Sequence, residues 1–140
     1  MKRRELREIV LQSLFQIDFS DAKVEEVFAY LQEEKELDNK DLAFIGGKVN
    51  GTLAHLEEVD KQISKYLKDW TFERIPNVDR AILRMSVYEM LFERETSYKI
   101  VLNEAIEMAK EFSTVESGKF VNGVLGSFVK DNLIDQNIDV

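Results

Sequence analysis

Cysteine is absent from this chain of 140 residues, and histidine and proline occur once each. Without cysteine there can be no disulfide, no thiol nucleophile and no thiolate-bound metal. One histidine cannot supply the several imidazole ligands of a histidine metal site. A single proline and six glycines leave few interruptions to a helical backbone. The composition therefore predicts a mainly helical protein without a metal or other cofactor.

Long apolar runs are likewise missing. The basic start of the chain is not followed by the apolar stretch of a signal peptide. No uninterrupted apolar run approaches the ~20 residues that a membrane-spanning helix needs. With 44% hydrophobic residues, a chain of this length can still bury a substantial core. We therefore expect one soluble, cytoplasmic domain over residues 1–140, with no membrane contact.

Charge is unevenly distributed along the chain. The formal net charge is −8, which opposes binding to a polyanion such as RNA. Residues 1–7, however, carry one acidic side chain, Glu5, and four basic ones, Lys2, Arg3, Arg4 and Arg7. This segment has a net charge of +3 and leaves −11 on the other 133 residues. A short basic arm therefore precedes an acidic body.

Apolar residues recur at steps of three and four in the first half of the chain, the period of a helix with one buried face. This spacing predicts a helix over residues 3–17. A shorter helix follows Ser20 and Asp21, which can cap it, and ends before the charged run 35–40. A third stripe covers residues 42–70 and predicts one continuous helix of roughly thirty residues, long enough to span the domain.

The only proline, Pro76, marks the best candidate for a break in the chain. We place there the boundary between an N-terminal helical half, residues 1–75, and a C-terminal half, residues 76–140. No internal repeat is found, so a solenoid is excluded. The predicted fold class is all-α, with two packed helical subdomains.

The second half of the chain predicts three more helices. Residues 78–92 are apolar nearly all round, which indicates the central and most buried helix, and residues 101–112 form an amphipathic helix. Ser113 and Glu116 match a capping box, which predicts that the last helix starts there. The tail, residues 131–140, has no apolar period and is expected to fray.

Two features look like catalytic or ligand sites but are better explained otherwise. Gly46, Gly47 and Lys48, together with Gly51, suggest a phosphate loop, yet that loop requires Ser or Thr after the lysine and here Val49 follows. These glycines are expected to permit close helix packing or to cost some helix stability. His55 has no second histidine to share a metal, and the many glutamates fit solvated helix faces. We therefore expect no enzymatic activity.

The arm is the first candidate binding element. Arg3, Arg4 and Arg7 are three and four residues apart, so on a helix their guanidinium groups are expected to fan outward while Leu6 and Ile9 anchor the other face. A guanidinium can bind phosphate through two hydrogen bonds and stack on an unpaired base. Basic residues near a chain start are also common without any function, so the pattern alone leaves both readings open.

The start of the last helix is the second candidate. Gly118 and Gly123 leave its backbone bare, and Lys119 and Phe120 lie next to each other near the capped end. An aromatic ring beside a lysine could stack a base and hold its phosphate. The alternative is that Phe120 belongs to the core, as expected for Phe128, and the apolar period does not decide between them.

Four segments resemble the NusB family. Residues 119–125 read KFVNGVL, a match of seven consecutive residues to that family's hallmark. Residues 79–89 resemble its central-helix pattern, residues 103–110 its N-E-A-I-E-x-A-K segment, and residues 3–8 its arginine-rich start. The resemblance covers nearly the whole chain and is weakest over residues 18–60. It implies a fold of about seven helices in two halves.

The resemblance also implies a function and its residues. NusB-type proteins are transcription antitermination factors that bind boxA-type RNA in nascent transcripts together with the ribosomal protein NusE, and that join the elongating RNA polymerase complex. The implied RNA-binding residues are Arg3, Arg4, Arg7, Ser117, Lys119 and Phe120, and the implied NusE-facing residues are Phe15 and Asp79. The family allows a monomer or a homodimer. Phe15 stands where many members have tyrosine, so a hydroxyl hydrogen bond is lost while ring packing remains.

Two other functions stay open at this point. The chain could be a protein-only helical scaffold whose basic arm is incidental. It could also resemble the accessory RNA-binding domains found in RNA-modifying systems, although 140 residues leave no room for a cofactor-binding domain. Binding to single-stranded RNA, measured with and without NusE, separates these possibilities.

Overall fold

The computed structural model describes residues 1–69 and 71–133. Within these residues the chain forms seven α-helices, one short 3-10 turn at Phe72–Arg74 and no strand, which confirms the all-α prediction. The helices are α1 (Arg3–Ser20), α2 (Val24–Glu34), α3 (Asn39–Ala54), α4 (Leu56–Ser64), α5 (Asn77–Phe92), α6 (Tyr98–Phe112) and α7 (Val115–Asn132). None of the described helices combines the length and apolar character that crossing a bilayer requires.

Helix α5 is the centre of the molecule, as its nearly all-round apolar sequence predicted. It packs against α1, α3, α4, α6 and α7, and ten of its sixteen residues are buried. Pro76 immediately precedes it, where the missing N–H of proline costs no helical hydrogen bond. Because α5 packs against helices from both sides of Pro76, the division into two halves stays a prediction.

The third predicted helix is broken, which corrects the single long helix expected over residues 42–70. The break lies at His55, whose backbone (φ −113°, ψ 22°) leaves the helical region. The His55 N–H donates to the carbonyls of both Gly51 and Thr52, which tightens the end of α3. The apolar stripe continues across the break, so its period gave no sign of it. Trp70 lies outside the described residues.

Two predicted helix caps are also wrong. Ser20 and Asp21 do not cap α2; instead Ser20 is the last residue of α1, and Asp21 ends that helix in the left-handed conformation (φ 56°). The box at Ser113 and Glu116 is shifted by one residue, since Thr114 caps α7 and accepts the Ser117 N–H at 3.0 Å. In the predicted frayed tail, α7 continues to Asn132, and residues 134–140 lie outside the described part of the chain.

Glycine lets two helix pairs approach closely, as the sequence suggested for α3. A Cβ on Gly51 would lie 2.1 Å from the Tyr88 hydroxyl of α5, and one on Gly118 would lie 2.8 Å from Cγ of Lys110 of α6. Neither position has room for a side chain without a shift of its neighbour. A Cβ on Gly47, by contrast, meets nothing within 4 Å.

Candidate nucleic-acid interface and partner groove

The basic arm covers the N-cap and the first turns of α1, and Arg3 is its exposed arginine. The guanidinium carbon of Arg3 lies 4.4 Å from the centroid of the Phe44 ring of α3. This cation–π contact holds the side chain near the surface, and no carboxylate of residues 1–69 or 71–133 forms an ion pair with it. Arg3 therefore lies on the surface, as the sequence predicted, and its binding to RNA stays a prediction.

Arg7 does not face outward, which corrects the geometry expected for it. Its side chain is buried (5% exposed) and donates to both carboxylate oxygens of Glu89 on α5, at 2.5 Å from Nη2 and 3.3 Å from Nε. The cause is a long-range partner, because the Glu89 carboxylate of α5 lies within hydrogen-bond distance of the Arg7 guanidinium. Its charge is neutralised inside the protein and is not displayed.

Glu89 belongs to a larger, partly buried ionic cluster. Lys48 Nζ lies 3.6 Å from Glu89 Oε1 and also pairs with Glu93, which in turn accepts a hydrogen bond from the Tyr88 hydroxyl at 3.1 Å. Burial, together with the nearby Glu93 carboxylate, raises the pKa of Tyr88 to about 12. Lys48 therefore serves internal ion pairs and no phosphate loop.

Arg4 is half-buried among carboxylates of α6. Its Nε donates to Glu104, and its Nη1 lies 3.8 Å from Glu111. The hydrogen bond to Glu104 raises the pKa of Arg4. Burial and the neighbouring Glu111 raise the pKa of Glu8, which belongs to the same group. One guanidinium is thus surrounded by three carboxylates, and an RNA phosphate has to compete with them.

The start of α7 carries the other predicted RNA-binding residues. Lys119 is fully outward, with 73% of its side chain exposed and its Nζ 3.6 Å from Glu116. Ser117 is buried, and its Oγ lies 2.8 Å from that of Ser113 and accepts from Thr114 at 3.2 Å. Its hydroxyl is used inside the α6–α7 connection and is not displayed on the surface.

Phe120 lies partly in the core and partly at the surface. It packs against the hydrophobic core, and it also lines a small cavity of about 130 Å³. The other residues around this cavity are Pro76, Asp79, Thr114, Glu116 and Ser117. The cavity therefore joins the start of α5 to the start of α7.

Asp79 is buried, which corrects its expected exposure next to Pro76. Only 2% of the residue is exposed, because the α6–α7 connection covers the first turn of α5. Burial raises the pKa of the Asp79 carboxyl, and the Ser117 and Ser113 hydroxyls partly offset this. Within the described residues, its Oδ1 has no hydrogen-bond partner. A buried acceptor of this kind is uncommon in folded proteins.

Helix α6 lies between the arm and the start of α7. Its Glu104 and Glu111 contact Arg4 of α1, whereas Ile106 and Lys110 lie against Gly118 of α7. The two candidate elements do not contact each other directly; they rest on different sides of the same helix. A strand that touches both has to cross α6.

Phe15 lies in a separate groove between α1 and α2. The groove encloses about 650 Å³, and α5 and α6 contribute Val78 and Phe112 to its lining. Phe15 stacks on Phe19, with ring centroids 5.4 Å apart. Phe19 and Tyr30 are 68% and 61% exposed at this face. Sequence reasoning missed these two aromatic residues, although Phe19 lies off the apolar period of α1.

The remaining features singled out in the sequence have structural roles. The His55 ring packs on Phe92 with centroids 4.1 Å apart, and its Nδ1 lies 3.0 Å from the Gly51 carbonyl. Within residues 1–69 and 71–133, no group of three or more His, Asp or Glu side chains could hold a metal ion.

The chain is similar to known proteins over nearly its whole length. The model of the NusB family matches residues 4–130. Transcription antitermination protein NusB of Bacillus subtilis is 45% identical over 131 residues, which cover 94% of this chain and 97% of that protein. The corresponding protein of Thermoanaerobacter sp. strain X514 is 39% identical over 136 residues, covering 97% and 96% of the two chains.

Solved structures show the same likeness. NusB of T. maritima superposes with a TM-score of 0.87 at 34% identity, covering 100% of this chain and 99% of that one. NusB in a crystal structure of the antitermination factors NusB and NusE in complex with double-stranded RNA superposes with a TM-score of 0.84 at 26% identity, covering 92% and 96%.

Proposed function

Because the chain belongs to the NusB family, we propose that it is an RNA-binding transcription antitermination factor, which acts by binding and not by catalysis. Its ligand is boxA-type RNA, held together with the ribosomal protein NusE, and the complex joins the elongating RNA polymerase. The observation that carries the proposal is the match over nearly the whole chain to NusB proteins, one of which was solved with NusE and RNA.

The RNA surface consists of the arm, α6 and the start of α7. Arg3 and Lys119 offer exposed charges at its two ends, and Arg4 can exchange its carboxylate partners for phosphate. Phe120 supplies a ring beside Lys119. Arg7 and Ser117 act differently from what the family resemblance implied: they hold the arm and the α7 cap in place.

The partner surface is the groove that contains Phe15. Exposed aromatic residues at a groove rim are typical of protein-binding sites, where they bury large areas at small entropic cost. The acidic body, with its net charge of −11 outside residues 1–7, suits a basic ribosomal protein. A bound basic partner also offsets the repulsion between this body and RNA.

The test is fluorescence anisotropy of a labelled single-stranded boxA-type RNA, titrated with the protein alone and in the presence of NusE. We expect weak, salt-sensitive binding alone, with a slope of log K against log salt of about −2 for some three phosphate contacts. NusE should tighten binding at least tenfold. A scrambled RNA is the matched control. Equal affinity for both RNAs would contradict boxA-type RNA as the specific ligand, and NusE binding with no RNA binding would favour the protein-only scaffold.

A further inference from the structure

The Phe44 ring of α3 lies beside the basic arm and contacts three cationic side chains. The guanidinium carbons of Arg3 and Arg7 lie 4.4 and 5.8 Å from the ring centroid, and Lys48 Nζ lies 5.1 Å from it. The face of an aromatic ring attracts cations because its quadrupole is negative there. Phe44 is half-buried and packs against the hydrophobic core, so its ring offers these cations a fixed surface.

Two of the three cations are neutralised by carboxylates. Arg7 donates to Glu89, and Lys48 pairs with both Glu89 and Glu93. Two positive and two negative charges therefore balance within this cluster, and the carboxylates hold both cations in place. The ring accordingly matters most for the third cation, Arg3.

Arg3 is held by the ring instead of by a carboxylate. In the part of the chain that the structure describes, its side chain forms no hydrogen bond and no ion pair, whereas Arg4 pairs with Glu104 and Glu111. A guanidinium that contacts a ring through its face keeps the N–H donors at its edge, and these donors are the groups that bind phosphate. The Phe44 contact therefore orders Arg3 without using the donors that a ligand requires.

Order in the free protein favours binding. An arginine side chain that is free on a surface populates many rotamers, and most of them are lost when it binds a ligand. A side chain that is ordered beforehand loses less entropy when the ligand arrives, so the complex is tighter. An aliphatic residue in place of Phe44 would leave the charge of Arg3 unchanged but would release its orientation.

We propose that Phe44 is a positioning residue for RNA binding, whose ring holds the Arg3 guanidinium ready to bind a backbone phosphate. The inference rests on the RNA-binding function proposed above. It adds a residue of α3 to a surface that otherwise consists of the arm, α6 and the start of α7. Because the inference requires no contact between Phe44 and RNA, the whole effect of Phe44 has to pass through Arg3.

The first test is a double-mutant cycle of Phe44→Leu and Arg3→Ala, measured by anisotropy with boxA-type RNA in the presence of NusE. Phe44→Leu alone should weaken RNA binding about two- to fivefold, which corresponds to one exposed cation–π contact. The slope of log K against log salt should not change in this variant, since no charge is lost. Arg3→Ala should flatten that slope by about 0.7, and adding Phe44→Leu to it should weaken binding no further.

Two further variants serve as controls. Phe44→Tyr keeps the face of the ring and should bind RNA as tightly as the wild type. Phe72→Leu is the matched control, because the Phe72 ring also lies near two guanidinium groups, those of Arg80 and Arg84. Both of these arginines are held by aspartates and belong to no part of the proposed RNA surface, so Phe72→Leu should leave RNA affinity unchanged.

The second test keeps the shape of the side chain, so that the packing of α3 is nearly unchanged. Pentafluorophenylalanine in place of Phe44 retains the ring but makes its face electron-poor, and it should weaken RNA binding at least as much as Phe44→Leu. Wild-type affinity of the fluorinated protein would overturn the inference. So would an effect of Phe44→Leu that is equally large with and without Arg3, which would indicate a direct contact with RNA or a change of fold. If the wild type with NusE binds no boxA-type RNA, the proposed function itself fails, and this inference with it.

Discussion

The arm and the start of α7 both place basic side chains at the beginning of a helix, but the fold treats their charges in opposite ways. In the arm, Arg7 is buried against Glu89 and Arg4 is paired with carboxylates of α6, so that only Arg3 keeps an exposed guanidinium. At α7, Lys119 is outward. The number of basic residues in a segment is therefore a poor measure of the charge that a ligand meets.

The largest expected effect separates the buried arginine from the exposed one. Arg7→Ala leaves Glu89 buried without its main partner, and we expect the free energy of unfolding to fall by about 3–5 kcal/mol. Arg3→Ala loses one cation–π contact and should cost less than about 1 kcal/mol. Urea unfolding monitored by circular dichroism measures both. Similar losses of stability for the two variants would mean that Arg7 does not form a buried ion pair with Glu89.

The next effect tests the packing that encloses the ionic cluster. Gly51→Ala places a Cβ against the Tyr88 ring, whose hydroxyl is bonded to Glu93, and should destabilise the protein by about 2 kcal/mol. Gly47→Ala, in the same helix with open space, should stabilise it by about 0.5–1 kcal/mol through helix propensity. Thermal unfolding of both variants measures these changes in stability. If Gly51→Ala also stabilises, α3 and α5 are not in close contact there.

A smaller effect concerns Asp79, which lies beside the start of α7, and its contribution to the free energy of unfolding depends on pH. Because the pKa of Asp79 is raised in the folded protein, its contribution to stability is present when the carboxyl is protonated and is lost as pH rises through the folded pKa. Asp79→Asn should therefore raise the free energy of unfolding at pH 7, by on the order of 1 kcal/mol. The advantage should shrink as pH falls toward 3.8, the ordinary value. An advantage that is constant with pH would contradict the burial of an ionised Asp79.

The smallest effect returns to the arm. Glu111 competes with RNA phosphate for Arg4, so Glu111→Gln should increase RNA affinity, by about two- to fivefold for an exposed pair of this kind. Glu107→Gln removes the same charge from α6 at a residue that pairs with Lys110, and should have a weaker effect. Anisotropy titrations at low salt measure both. Equal gains from the two variants would mean that only the overall charge matters.

Sequence reasoning succeeded where local pattern determines structure. The apolar period located six helical segments, and the all-round apolar character of residues 78–92 identified the central helix. It missed the break at His55, because neither proline nor glycine marks that position and the apolar stripe runs through it. Helix periodicity reports which face is buried and not whether the backbone is continuous.

The errors at the candidate site have a different origin. Arg7 pairs with a residue 82 positions away, and Asp79 is covered by the connection between α6 and α7. No local spacing reveals such contacts, so both residues were expected on the surface. The residues that were expected on the surface and lie there are Arg3 and Lys119. Lys119 contacts Glu116 in the same turn of α7, and Arg3 contacts the ring of Phe44.

The most direct measurement is a map of backbone amide shifts by NMR during titration with boxA-type RNA and then with NusE. The account predicts that RNA shifts the amides of the first turn of α1, of α6 and of the first two turns of α7, including Lys119 and Phe120. Amides around Phe15, Phe19 and Tyr30 should respond only when NusE is added. Shifts from RNA that are confined to the α1–α2 groove, or that leave either the arm or the start of α7 unaffected, would contradict an RNA path across α6.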